Sequence, residues 1–315
     1  MLNSEICALF GIEYPIFQGG MAWIANANLA AAVSNAGGLG IISAMNADGD
    51  WLRAEIKKVK TLTSKPFGVN VMLMSPFVEE IARIVVEEQV PVVTTGAGNP
   101  AKFIPAWLAA KIKVVPVVPS VALAKLMERA GATAVIAEGG ESGGHVGDLT
   151  TLVLVPQVSD AVQIPVIAAG GIGDGRGVAA CLLLGASGVQ LGTRFLLAKE
   201  CEIHDNYKQK LLKASDIATI VTGKRLGHPV RALKTTMTRK FFAYEFDSNI
   251  SNDELELLGA GALRKAVQEG SETEGCFMSG QIIGMLKKEE SAKEIITSLM
   301  IEARAALGGA TKWLK

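Results

Sequence analysis

The stretch Ala168-Ala169-Gly170-Gly171-Ile172-Gly173-Asp174-Gly175, read with Gln190-Leu191-Gly192-Thr193-Arg194 shortly downstream, decides the fold. Each glycine turn follows a short apolar strand, Val166-Ile167-Ala168 in the first case and Gly188-Val189-Gln190-Leu191 in the second, and each runs into a helix-compatible segment. Glycine lets the backbone approach a ligand closely. Backbone N–H groups at a helix start favour an anion such as phosphate. Two such turns on consecutive strands, late in a βα-repeating chain, match the phosphate site that TIM barrels build after their seventh and eighth strands.

Counting back from this pair gives six earlier strands, at 14–21, 39–43, 67–72, 90–95, 113–118 and 134–138, before 165–169 and 188–191. Most are continuous apolar runs, the pattern of parallel strands buried on both faces. Helical segments alternate with them: 24–36, stopped by Gly37-Gly38, then 50–61 with Trp51, Leu52, Ile56 and Val59 on one face, then 76–89 and 121–130. Eight strands and the late paired turns predict an α/β fold of the (β/α)8 TIM barrel type. An open doubly wound sheet is the competing architecture. The alternation stops after Leu197. Residues 199–275 are charged and read as mainly helical, with helices at 207–214 and 253–268. The expected organisation is a barrel made of 1–198 and 276–315, with 199–275 as a small helical insertion after strand eight, covering the barrel mouth. The chain returns through Cys276-Phe277-Met278-Ser279-Gly280-Gln281 and closes with a helix at 291–307.

Composition narrows the function. The 315 residues suffice for one barrel of about 250 residues plus an insertion. Lys and Arg balance Asp and Glu at 31 each, so no overall charge draws nucleic acid or an anionic membrane. No apolar run reaches the ~20 residues of a membrane span. Cys7, Cys181, Cys201 and Cys276 are far apart and form no CxxC pair, so they read as reduced thiols in a cytoplasmic protein.

Chemistry in a barrel sits at the C-terminal ends of the strands. The polar or special residues there are Gln18, Gly19, Gly20 and Met21 after strand one, Asn70 in strand three and Glu138 ending strand six. The loop Gly139-Gly140-Glu141-Ser142-Gly143-Gly144-His145-Val146-Gly147 follows. It reads either as a flexible surface loop with a solvated histidine, or as a loop folded over a flat cofactor with His145 at the reacting centre. His204 lies in a charged stretch and reads as solvated; His228, in Gly227-His228-Pro229, reads as part of a turn. Asp174 and Arg176 read as the start of the helix after strand seven. No spacing suggests a metal site, a nucleophile elbow or a Walker phosphate loop. Without paired carboxylates or an activated nucleophile, a cofactor that carries the reaction fits better than hydrolysis. A glycine-lined phosphate site makes FMN the natural candidate.

Five stretches in this order, Gln18-Gly19-Gly20-Met21, Gly68-Val69-Asn70, Glu141-Ser142-Gly143-Gly144-His145, Ala168-Ala169-Gly170-Gly171-Ile172 and Gln190-Leu191-Gly192-Thr193-Arg194, resemble the nitronate monooxygenase superfamily of FMN barrels. The insertion residues Ile203-His204-Asp205 and Gly227-His228-Pro229-Val230-Arg231, with Phe277-Met278-Ser279-Gly280-Gln281, resemble its branch of flavin-dependent enoyl-acyl-carrier-protein reductases of type II fatty acid synthesis, the FabK type. His145 is followed by Val146-Gly147 where the nitronate-oxidising branch more often has Arg-Gly.

The resemblance implies reduction of the trans-2 double bond of an enoyl-acyl-carrier-protein by NADH or NADPH through FMN. Met21 and Asn70, after Gly20, would lie against the ring. Ala169, Gly170, Gly171, Gly192 and Thr193, with Gln190 beside them, would hold the phosphate end. Glu138, Ser142, Gly143 and Gly144 would complete the ribityl and ring contacts, and Met278, Ser279 and Gln281 would cover the far side. His145 would be the catalytic residue, as hydrogen-bond donor or proton source. The resemblance also implies a homodimer, an acyl carrier protein as the bearer of the substrate, and stimulation by a monovalent cation whose ligands are not assigned. Carrier proteins are acidic, and the basic Arg231, Lys234, Arg239 and Lys240 of the insertion read either as its docking face or as a solvated cap surface. Oxidation of nitronates with His145 as base is the alternative activity, and a non-catalytic flavin-binding protein is a third reading.

Overall fold

The computed structural model describes residues 4–44 and 48–313. Among the described residues eleven strands run in chain order: β1 (Ile16–Gln18), β2 (Gly40–Ser43), β3 (Phe67–Met72), β4 (Val92–Gly96), β5 (Lys113–Val118), β6 (Val135–Glu138), β7 (Gly144–His145), β8 (Val166–Ala169), β9 (Gly188–Leu191), β10 (Thr219–Thr222) and β11 (Val230–Leu233). The helices are α1 (Glu5–Phe10), α2 (Ala27–Asn35), α3 (Gly49–Leu62), α4 (Val78–Glu87), α5 (Ile104–Ala109), α6 (Val121–Arg129), α7 (Thr151–Ser159), α8 (Gly175–Leu183), α9 (Thr193–Leu196), α10 (Asp205–Lys213), α11 (Thr236–Glu245), α12 (Asn252–Gly259), α13 (Ala262–Arg264) and α14 (Ala292–Gly309).

Eight strands form one sheet in the order β1-β9-β8-β6-β5-β4-β3-β2, and every pair is parallel. The ring closes between β1 and β2, where Gln18 N donates to Leu39 O and Leu39 N to Ile16 O. This is the (β/α)8 barrel that the spacing predicts. The expected strands seven and eight are β8 and β9, because the short β7 precedes them.

Two cores follow from the strand pattern. Outward residues such as Ile42, Val69, Val93 and Val135 pack against the helices. Inward residues, among them Phe17, Ile41, Val92, Val115, Ile136 and Ile167, fill the barrel. They meet Ile6 and Phe10 of α1, whose Phe10 ring stands edge-on to Phe17 with centroids 5.1 Å apart. Ser4 caps α1 and Gly11 ends it. The helix plugs the barrel at the strands' N-terminal ends and leaves the C-terminal ends open. Asp174 caps α8 through the Arg176 and Gly177 N–H groups, as expected for a helix start.

The segment after β9 is mainly helical, and it also supplies a hairpin that its charge pattern hides. β10 and β11 pair antiparallel, and β11 pairs with β7, matching Val230 to His145 and Arg231 to Gly144. The glycine loop is therefore tied down as an edge strand. The helix expected over 253–268 is broken: α12 stops before Ala260, and Gly261 turns left-handed (φ 71°) into α13. Ala232, Met237, Phe241, Leu255, Ala262 and Cys276 form a small core of their own. Among the described residues, no helix is long and apolar enough to cross a membrane.

Candidate active site

The open end of the barrel holds a cavity of about 430 Å³. It gathers Gly20, Met21, Asn70, Glu138, Ser142, Gly143, Gly144, His145, Ala169, Gly170, Gly171, Gln190, Gly192, Thr193 and Met278, residues widely separated in sequence.

The glycine turn after β8 forms one side. Gly170 and Gly171 have φ of 92° and 72°, which side chains rarely adopt. An added Cβ at Gly170 would stand 2.6 Å from Gly139 O. Thr151 Oγ1 lies 2.9 Å from Gly170 O and 3.0 Å from Glu141 Oε2, so α7 braces the turn. Glu141 in turn accepts the Thr151 N–H at 2.9 Å, capping a helix whose own Thr150 makes no side-chain cap. Glu141 lines the cavity too, a role the glycine spacing does not disclose.

Asn70 is buried, and its Oδ1 accepts from Thr94 Oγ1 at 3.0 Å. Glu138 ends β6 at the cavity floor. Burial pushes its carboxyl pKa up to about 7. Ser142 Oγ is itself buried and makes no hydrogen bond within the chain. His145 is exposed to the mouth, yet surrounding protein desolvates its ring. Desolvation, reinforced by the nearby His228 imidazole, lowers its pKa below the ordinary histidine value. His145 is therefore neutral at pH 7, with one ring nitrogen a donor and the other an acceptor.

Two expected residues stand away from the cavity. Along 277–280 alternate residues face opposite ways: Met278 and Gly280 line the cavity, whereas Phe277 and Ser279 are fully buried behind it. Gln281 has an exposed side chain; its backbone N–H donates to Glu141 O, and Ile282 lines the cavity instead. The segment is held by Tyr207, whose hydroxyl donates to Met278 O at 2.6 Å, and by Thr193 Oγ1, which accepts from Gly280 N at 2.8 Å.

Arg194 and Arg231 also differ from a simple surface reading. Arg194, in the second glycine motif, forms a buried ion pair with Glu290 and stays out of the cavity. Arg231 is half-buried: its Nη2 and Nε donate to Gly140 O at 3.0 and 3.2 Å, and its Nη1 to Thr219 Oγ1. Lys234 donates to Ile217 O at 2.7 Å. Lys224, Arg239 and Lys240 are exposed. His228 lies exposed at the hairpin turn, and His204 is a half-buried cap of α10 whose Nδ1 accepts the Asn206 N–H. The thiols of Cys181, Cys201 and Cys276 are buried and pushed up to about 12, which leaves none a nucleophile.

Left-handed glycine turns after β8, a glycine-bounded turn after β9 and a neutral imidazole on a clamped loop meet in one cavity at the C-terminal ends of the strands of a (β/α)8 barrel. The sequence profile described as nitronate monooxygenase matches residues 3–83 and 73–302. The structure of FabK from Thermotoga maritima is similar to this chain with a TM-score of 0.97 at 47% identity, covering 100% of each chain. A Mycobacterium tuberculosis protein, (3aS,4S,5R,7aS)-5-hydroxy-7a-methyl-1-oxo-octahydro-1H-indene-4-carboxyl-CoA dehydrogenase, is 35% identical over 96% of both chains. A probable nitronate monooxygenase of Staphylococcus saprophyticus is 34% identical, covering 89% of this chain and 92% of its own. The chain belongs to the nitronate monooxygenase family, a family of oxidoreductases.

Proposed function

We propose that this chain binds FMN in the barrel mouth and reduces the trans-2 double bond of an enoyl-acyl-carrier-protein, with NADH or NADPH as reductant. The observation that carries this reading is the full-length likeness to FabK at 47% identity. The residues fit the cofactor. Gly170 and Gly171 bring backbone N–H groups to the cavity edge without a side chain in the way, as an anion requires. The buried Ser142 hydroxyl has no partner in the chain and suits a ribityl oxygen. Asn70 and Glu138 supply a polar edge for the ring, and Met21 and Met278 apolar faces.

Bound FMN would relay hydride from the nicotinamide to the substrate β-carbon. The chain's own part is to hold the thioester and stabilise the negative charge that develops on its carbonyl oxygen. His145 is the donor in reach of the mouth, and a neutral imidazole donates such a hydrogen bond at pH 7. The glycine loop and β11 fix its position. The carrier protein docks on the exposed Lys224, Arg239 and Lys240. They lie on the unit that clamps His145, since Glu245 of α11 accepts the Gly223 and Arg225 N–H groups of the hairpin turn.

The test is anaerobic. The purified protein is treated with NADH or NADPH and then with crotonyl thioester, while the flavin absorbance is followed. Bleaching by nicotinamide and thioester-dependent return are expected. A second reading, oxidation of nitronates with His145 as base, is favoured by the Staphylococcus relative and by the family's own description. Bleaching by a nitronate, with no reduction by either nicotinamide, would decide for it.

A further inference from the structure

The cavity has two unlike sides. The glycine turns follow β8 and β9. In the closed sheet order β4 stands four positions from β9, directly across the barrel. That far wall is built from Met72 of β3, Gly96 of β4, Val117 of β5, Pro119 of the turn that follows and Leu123 of α6, roofed by Val146 and Gly147. It carries no charged side chain; the carboxylates that line the cavity, Glu138 and Glu141, lie on the β6 side. A surface of this kind takes an apolar ligand arm.

One residue on it departs from the usual reasons for glycine. Gly96 is the last residue of β4, on the inward face with Val92 and Thr94. Its φ is outside the left-handed range. A Cβ built there meets no atom within 4 Å, whereas one at Gly20 would stand 2.4 Å from Asn70 and one at Gly143 2.6 Å from Ser279. Neither backbone nor packing demands glycine at 96. What the missing side chain does is leave the cavity open on its apolar side. The chain then turns away sharply, with Ala97 held left-handed at φ 56°, a conformation that non-glycine residues adopt at a cost and that clusters at functional sites.

We propose that Gly96 determines acyl-chain length: the chain of the thioester lies along the β3–β5 wall beneath Val146 and Gly147, and the space over Gly96 admits a straight chain well beyond four carbons. This rests on the enoyl thioester reading of the site. Burying one methylene is worth about fourfold in affinity, so a chain on this wall gains steeply with length.

The test uses saturated N-acetylcysteamine thioesters, which bind without being reduced. Affinities of butanoyl and decanoyl thioesters for the flavin-loaded protein are measured by titration calorimetry for the wild type, Gly96→Ala and Gly96→Val. The wild type is expected to prefer decanoyl by at least about tenfold, Gly96→Val to remove most of that preference, and Gly96→Ala to fall between. Valine suits a strand end, and thermal melting of each variant checks the fold. A wild type that binds both thioesters alike, or a Gly96→Val protein that folds normally and keeps the preference, would overturn the proposal. Failure of the enoyl reductase reading is separate: it appears as wild-type protein that never turns over crotonyl thioester, whatever its preference for saturated chains.

Discussion

His145 and Glu138 are the two titratable side chains of the mouth whose ionisation burial alters, and they shift toward the same neutral state. For His145 the native pKa is lowered, so proton uptake is resisted until the pH falls below the ordinary value of 6.5. If the neutral imidazole is the donor, kcat/KM for crotonyl thioester stays level through pH 7 and falls only on the acid side of 6.5. Replacing His228 with Gln, which removes the imidazole that helps to lower the His145 pKa, moves that acid limb toward higher pH. An acid limb well above 6.5 in the wild type would refute the assignment. His145→Ala should cost about 10²-fold or more in turnover with flavin still bound, the usual effect of losing one oxyanion donor. For Glu138 the sign is the opposite of an ordinary ion-paired carboxylate. Its native pKa, about 7, exceeds the ordinary glutamate value of 4.5, so the unfolded chain gives up the proton first. Glu138 therefore destabilises the flavin-free protein increasingly from pH 4.5 to 7, and constantly above. Glu138→Gln is expected to remove that slope and add about 1–3 kcal/mol above pH 7, read from urea midpoints of the flavin-free protein. A stability difference independent of pH would mean that the carboxyl is not desolvated as its position indicates.

The element that governs the site is the β11–β7 pairing, and Arg231 is its fastener. The guanidinium spans Gly140 O and Thr219 Oγ1, so it joins the glycine loop to both strands of the hairpin. Burial lowers its pKa, against the pull of the Glu141 carboxylate, and the group stays charged at any working pH. Arg231→Met leaves Gly140 O without its donors and is expected to cost about 1–3 kcal/mol of stability. It should also lower kcat at unchanged flavin content, because His145 sits on the strand that Arg231 anchors. Arg231→Lys, which lacks the fork, should recover only part of either loss. Unchanged kcat in Arg231→Met would separate His145 placement from the hairpin. This element also marks where sequence reading stops. Continuous apolar runs and the glycine turns carried enough information to specify eight strands and the glycine-lined side of the mouth, because those features are local. β7 is two residues long, and β10 and β11 are short and half-exposed, so no local pattern announces them. Arg231 looked like surface charge for the same reason: its partners are a backbone oxygen of a loop far away in the chain and a hydroxyl of the neighbouring strand. The misplacement of Ser279 and Gln281 is also an element-scale effect, since the alternation of an extended segment turns Met278 and Gly280 inward and buries Ser279.

Over the whole molecule the barrel gives the mouth its chemistry and the insertion gives it a neighbour. The return segment is pinned at one end by Tyr207 and at the other by the Arg194–Glu290 pair, while Arg264 stacks over Trp23, 5.1 Å from its ring, and ties the insertion to the loop after β1. Insertion and barrel therefore share fixed contacts beside the cavity, and a partner seated on the insertion would stand at a defined distance from His145. The docking charge is smaller than the sequence suggests. Arg225 is spent on Asp247 O, Ile250 O and Asn252, and Arg231 and Lys234 on backbone oxygens, while the neighbouring α12 carries the acidic Asp253, Glu254 and Glu256. A carrier protein held by three rim charges is bound weakly and with strong salt dependence. Reversing Lys224, Arg239 and Lys240 to Glu together should raise KM for crotonyl-acyl-carrier-protein about tenfold at low salt and far less at 0.5 M salt, since exposed charges are screened there. Crotonyl N-acetylcysteamine, which bears no carrier, should be reduced by the triple variant as by the wild type. Equal losses on both substrates would show that the charges support the mouth itself; no loss on either would move the docking face elsewhere on the barrel rim.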